Sequence, residues 1–165
     1  MPITNDEFRA ALSKFASGVT VVTTRDANGR LHGITVSAFA SVSLKPPIVL
    51  VCIDNATVSH YAFAESGMFV VNILKSDQIA VSQQFATPYL DKFDGVEYEL
   101  SESGVPILAG TLASLVCRIS DSLISGDHTV FFGEIDRAII DSGEPLTYFS
   151  GSYRHLGAFP PTDQD

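Results

Sequence analysis

The chain is short of cysteine, of basic residues and of long apolar runs, and each shortage removes a class of protein. It has two cysteines in 165 residues, Cys52 and Cys117, each alone inside an apolar β-type run. With no C-x-x-C pair and no Cys/His cluster there is no pattern for structural zinc, and the two read as buried, reduced thiols. Ten Lys and Arg against nineteen Asp and Glu leave a formal charge of −9. Nucleic acid and anionic membrane both call for a cationic face, so neither is an expected partner. Apolar runs are broken by Ser, Thr and Gly, and none has the length of a membrane span. The start, Met1 to Glu7, is polar and acidic and lacks the apolar centre of a signal peptide. The expectation is a soluble, cytoplasmic protein. Also missing are G-x-G-x-x-G after a strand, G-x-x-x-x-G-K-[ST], H-E-x-x-H and G-x-S-x-G. A nucleotide, if used, is not held in the Rossmann or P-loop manner.

What the chain does have is 45% hydrophobic against 18% charged residues, too apolar for disorder. A single domain of this length buries roughly 70% of its unfolded surface and needs no disulfide. Thr4 and Glu7 have capping-box spacing, and Phe8, Leu12 and Phe15 then share a helical face, with Gly18 as the stop. Val19 to Thr24 reads as a β-branched strand, followed by an Asn28-Gly29 turn. From Leu31 to Leu44 apolar and hydroxyl residues alternate, with a bend somewhere inside. Pro46-Pro47 ends that stretch, and Ile48 to Ile53 reads as a strand covered on both sides. A short helix through Tyr61 and Phe63 closes at Gly67. Strand Met68–Leu74 follows, then a helix capped by Ser76 or Asp77 and running to about Phe85. A long polar stretch spans Ala86 to Val105, the length of a functional loop. Further strands fall at Leu112–Ser120, Thr129–Ile140 and Leu146–Phe149, and a polar tail begins at Pro160. Many short strands, few helices and frequent turns predict a mainly β protein: a closed antiparallel barrel with helices outside, in one domain over residues 1–165.

Three local patterns carry chemistry. Thr35, Ser37, Ser41 and Ser43 present one hydroxyl-rich face, either a solvated strand face or a wall for a flat, polar-edged ligand. Asp54 to Ser59, where a strand runs into a helix, offers hydroxyls and free N–H groups, suited to an ordinary cap or to a phosphate. Gly126-Asp127-His128 sets a histidine on a turn between apolar strands, solvated or functional.

The order of several blocks is more specific than any of these alone. FRAALSKFASGVTVVTT, HGITVSAFASVSLKPPIVLVCI, FVVNILKSDQ, QQFA, SGDHTVFFGEI and PLTYFSGSYRHL resemble the short-chain flavin reductase family. These are the reductase components of two-component flavin-dependent monooxygenases, the small components of phenol hydroxylases among them. The resemblance covers about Phe8 to Leu156. It implies an antiparallel split β-barrel of Greek-key type that binds FMN or FAD, a homodimer, and hydride transfer from NADH, with NADPH possible. Reduced flavin would pass to a partner monooxygenase. By the same resemblance Thr35, Val36, Ser37 and Ala38 line the isoalloxazine, and Cys52, Ile53 and Asp54 follow the ribityl chain. Thr57 and Ser59 lie at the phosphate, and Phe85, Ala86, Lys92 and Phe93 cover the flavin. His128 stands near the nicotinamide, and Tyr153 and Arg154 border the site. Two other readings on the same barrel stay open: a flavin-binding protein without catalysis, and an oxidase with tightly held FMN.

Overall fold

The computed structural model describes residues 2–88 and 91–158; the tail read from Pro160 lies outside them. Its first element shows how local the early signals are. Helix α1 spans Asn5–Leu12, and Thr4 and Glu7 form the capping box in both directions. The helix stops at Leu12, short of the expected Gly18. Ser13 turns its hydroxyl back onto the Ala10 carbonyl at 2.8 Å, and Ser17–Gly18 is drawn out as strand β1 to pair with a C-terminal strand. Phe8, Leu12 and Phe15 remain exposed.

The other elements follow in order: β2 Thr20–Arg25, β3 Leu31–Val36, β4 Phe39–Leu44, β5 Pro47–Asp54, α2 His60–Ser66, β6 Met68–Ile73 and α3 Ile79–Ala86. Then come β7 Tyr98–Leu100, β8 Pro106–Leu108, β9 Ala113–Ser125, β10 His128–Ile140, β11 Thr147–Phe149 and β12 Ser152–Arg154. Seven strands form one antiparallel sheet in the order β3-β2-β6-β9-β10-β5-β4, while β1-β11-β12 and β7-β8 make small sheets beside it. The curled sheet is a split barrel, not the closed one that strand spacing suggested. Its edges, β3 and β4, are consecutive in the chain and joined only by Ser37 and Ala38.

Burial explains the other departures. β5 alternates, with Val49, Val51 and Ile53 buried and the residues between them half-covered, so only one face meets the core. The Leu31–Leu44 alternation breaks at Ser37–Ala38, and a bulge between Ser41 and Ser43 shifts the β4 register. Helix α3 starts after Gln78, not at a Ser76 or Asp77 cap, because Gln78 spends its side chain on the Lys75 N–H and the chain makes one more turn. Cys117 is buried, its thiol pushed up to about 12 by burial, whereas Cys52 is only half-buried.

The main core joins Val22, Val51, Ile53, Phe63, Phe69, Val71 and Phe131 inside the barrel. At its centre Gly133 makes room for Phe69: a Cβ there would overlap that ring and stand 2.8 Å from Cys117 Cβ. A second cluster around Val21, Leu74, Phe85 and Leu146 packs α3 onto the sheet. No helix among the described residues is long and apolar enough to cross a membrane.

Candidate functional site

The outer edge of β3 has no neighbouring strand, so alternate N–H and C=O groups along Leu31–Val36 have no ladder partner on that side. A cavity of about 880 Å³ lies along this edge. Its walls are Arg30 to Ile34, then Ala56 to Ser59 ahead of α2, and the segment around Lys92 and Phe93 after α3. The roof is anchored by aromatic contact. Phe85 and Phe93 meet edge to face at 5.0 Å, and Phe93 meets Tyr98 at 5.3 Å. Phe85 presses so closely on β3 that a Cβ at Gly33 would overlap its ring. Lys92 donates to the Phe85 carbonyl at 2.8 Å, and partial burial lowers its pKa.

At the upper end of this edge the chain crosses the split. Ser37 and Ala38 are exposed and small, and the Ala38 carbonyl accepts from Cys52 N–H at 3.1 Å. Thr35 has its hydroxyl committed to the Ser82 carbonyl of α3 at 2.6 Å, and Val36 is buried. Thr35 and Val36 therefore offer backbone to a ligand at this point. Ser41 and Ser43 flank the bulge on β4; neither lines the cavity.

The end of β5 meets the start of β10. Asp54 pairs with His128 and Ile53 with Thr129, while Asn55 N–H donates to the Asp127 carbonyl at 2.9 Å. The Thr129 hydroxyl donates to Asn55 Oδ1 at 2.7 Å and lies 2.9 Å from His60 Nε2. His128 Nδ1 sits 2.7 Å from Asp127 Oδ1, with the two side chains 43% and 91% exposed. That bond and the imidazole charge lower the Asp127 pKa.

Thus Thr57, Ser59, Ala86, Lys92 and Phe93 share one cavity, with Phe85 behind the roof. Ser37, Ala38, Cys52, Ile53, Asp54 and His128 gather at the adjoining strand ends. Tyr153 attaches through α3: its hydroxyl lies 2.9 Å from Oγ of Ser82, the same residue whose carbonyl holds the Thr35 hydroxyl. Arg154 is exposed, its carbonyl accepting from Thr147 at 2.6 Å.

The sequence reading missed Asp26, Arg30, His32 and Tyr61. Arg30 and His32 line the cavity, and Asp26 and Tyr61 hold His32 from behind. The available signal was an Asp opening the Asn28-Gly29 turn with a His on the strand that follows, close together once the hairpin closes.

The donors fit a flavin nucleotide: an unpaired backbone edge and small residues for a planar ring, and hydroxyls with Arg30 and Lys92 for a phosphate. Fold and cleft together define a split-barrel nucleotide-binding protein of the non-Rossmann kind. A flavin reductase like domain matches residues 12–157. The chain is 40% identical over 155 residues to the reductase component of a 4-nitrophenol 4-monooxygenase/4-nitrocatechol 2-monooxygenase from Rhodococcus opacus, covering 94% of this chain and 83% of that one. It is 41% identical over 146 residues to the FMN reductase (NADH) SmoA of Agrobacterium fabrum, covering 88% and 83%. Among solved structures, the NADH:FAD oxidoreductase SgcE6 of Streptomyces globisporus, in complex with NAD and FAD fragments, superposes with a TM-score of 0.86 at 34% identity over the whole of both chains. The chain belongs to the flavin reductase family.

Proposed function

We propose that this chain takes hydride from NADH to reduce FMN or FAD and gives the reduced flavin to a separate flavin-dependent monooxygenase. The observation that carries the proposal is the cleft along the unpaired β3 edge, open to solvent and lined by backbone, small residues and cationic side chains. The flavin, when bound, would supply the redox chemistry. The residues of the chain bind and orient. Free N–H groups of the β3 edge and the Ser37–Ala38 turn meet the heteroatoms of the ring, where added electron density needs donors. Thr57, Ser59, Arg30 and Lys92 serve the phosphate end. His128, fixed by its strand pairing and by Asp127, meets the nicotinamide and positions it. Hydride transfer moves no proton from NADH, and this assignment gives His128 no acid–base role.

The reading extends to a cytoplasmic homodimer in which residues 1–165 form one domain with its core over about 8–156. Exposed Phe8 and Leu12 on α1 and Phe15 just after it, and exposed Leu123 and Ile124 on the far half of β9, support association through specific apolar faces. The test is steady-state NADH and NADPH oxidation with FMN, FAD and riboflavin in turn. The expected result is turnover only with added flavin, with reduced flavin passing an ultrafiltration membrane. NADH consumption that ignores added flavin, or no turnover with any pair, overturns the proposal.

A further inference from the structure

His32 is nine-tenths buried in the wall of the cleft, with 7% of its surface exposed, and its Asp26 partner has 5%. Asp26 is saturated with donors. Its Oδ1 accepts the N–H groups of Asn28 and Arg30, each at 2.9 Å. Its Oδ2 lies 3.1 Å from His32 Nε2 and accepts the Tyr61 hydroxyl at 3.2 Å. The Tyr61 ring stands edge to face with the imidazole at 5.5 Å. A carboxylate so placed keeps a proton on Nε2, which fixes the ring and leaves Nδ1 as the unprotonated nitrogen of the neutral imidazole. Nδ1 has no protein partner among the described residues. The one buried side-chain polar atom without a partner among the described residues is Ser66 Oγ, so Nδ1 is not fully buried, and His32 is one of the residues that line the cavity.

The geometry points to His32 as the residue that recognises the phosphate of the flavin, with Asp26 and Tyr61 as its positioning residues. The inference rests on the flavin reductase reading and adds the group that tells a phosphorylated flavin from riboflavin. A phosphate oxygen at Nδ1 requires an N–H there, so binding draws a proton from solvent onto the ring and makes an imidazolium between two anions. The charged or titratable groups around it are Tyr61 and Glu65 on α2, Asp26 and Arg30 at the turn, and Lys92, Asp91 and Asp94 in the roof segment. A hydrogen bond to a charged group is worth about ten- to a hundredfold in affinity.

The experiment titrates FMN, FAD and riboflavin into wild type and His32→Gln, with folding of the variant checked by circular dichroism. The variant should lose about ten- to a hundredfold in affinity for FMN and FAD and stay within about twofold for riboflavin. In ¹⁵N-labelled wild type, the His32 Nδ1 resonance should move to the protonated position with FMN and stay put with riboflavin; this arm decides alone if His32→Gln does not fold. Equal loss for all three flavins, no loss, or an Nδ1 resonance unmoved by FMN overturns the inference. Wild-type protein without flavin-dependent NADH oxidation overturns the functional reading instead, and the titrations read out independently of turnover.

Discussion

The described residues hold two close histidine–aspartate pairs, and they differ in almost everything but composition. His128 and Asp127 are sequence neighbours at a hairpin tip, 2.7 Å apart and open to water. His32 and Asp26 come from opposite ends of a turn, 3.1 Å apart and buried. The shorter contact is the weaker determinant of structure, because water competes for both partners and screens their charge. The longer one has no water to fall back on, so losing either member strands a polar group in the wall of the cleft. One pair can be a mobile contact for a visiting ligand, while the other is part of the frame.

The widest challenge to this contrast attacks its premise, that flavin lies along the β3 edge between the two pairs. Ser37→Trp should abolish measurable flavin binding while circular dichroism stays native, since Ser37 is exposed and the added ring fills space that the ligand needs. Unchanged flavin affinity in the folded variant removes the Thr35–Ala38 wall from the site. A narrower test separates the pairs by ligand. His128→Ala should lower kcat/KM for NADH by about ten- to a hundredfold, the effect of one lost positioning contact, with flavin affinity and Tm kept. Wild-type NADH kinetics would return His128 to the solvent.

Acid separates the pairs by stability. The bond from His32, ahead of those from the backbone and Tyr61, lowers the Asp26 pKa from an ordinary 3.8 to about 2. A carboxyl depressed on folding contributes stability that is complete above its unfolded value and is lost as pH falls towards its folded one. Wild-type Tm should therefore fall as pH drops from about 4 to 2, and Asp26→Asn should start from a lower Tm and lose less across that window. An identical slope in both proteins would contradict the frame role. The smallest effect belongs to Asp127→Asn: at neutral pH its Tm should match wild type within error, because the bond it removes is exposed. A clear drop would erase the contrast between the two pairs.

The sequence disclosed what is local and hid what depends on the fold closing. The Thr4–Glu7 capping box spans a single turn and could be read directly. The end of α1 could not, because Ser17–Gly18 becomes a strand only when β11 arrives from the other end of the chain. The hydroxyl pattern after Leu31 read as one face through to Ser43, since periodicity carries no record of a bend at Ser37–Ala38 or a bulge after Ser41. Strand β7 was hidden in the polar stretch because it is three residues long and exposed throughout, and β8, buried but equally short, is too brief for a period to show. His128 stood out through its turn motif. His32 did not, because its meaning lies in Asp26 across the hairpin and in Tyr61 on α2, 29 residues away.

Between the edge strands β3 and β4 there is a seam with no ladder across it, joined at one end by Ser37 and Ala38. Widening such a seam breaks no rung of the sheet. On the proposed reading, a reduced flavin made there departs at each turnover without local melting, so the barrel keeps its rigidity and still treats the flavin as a passenger.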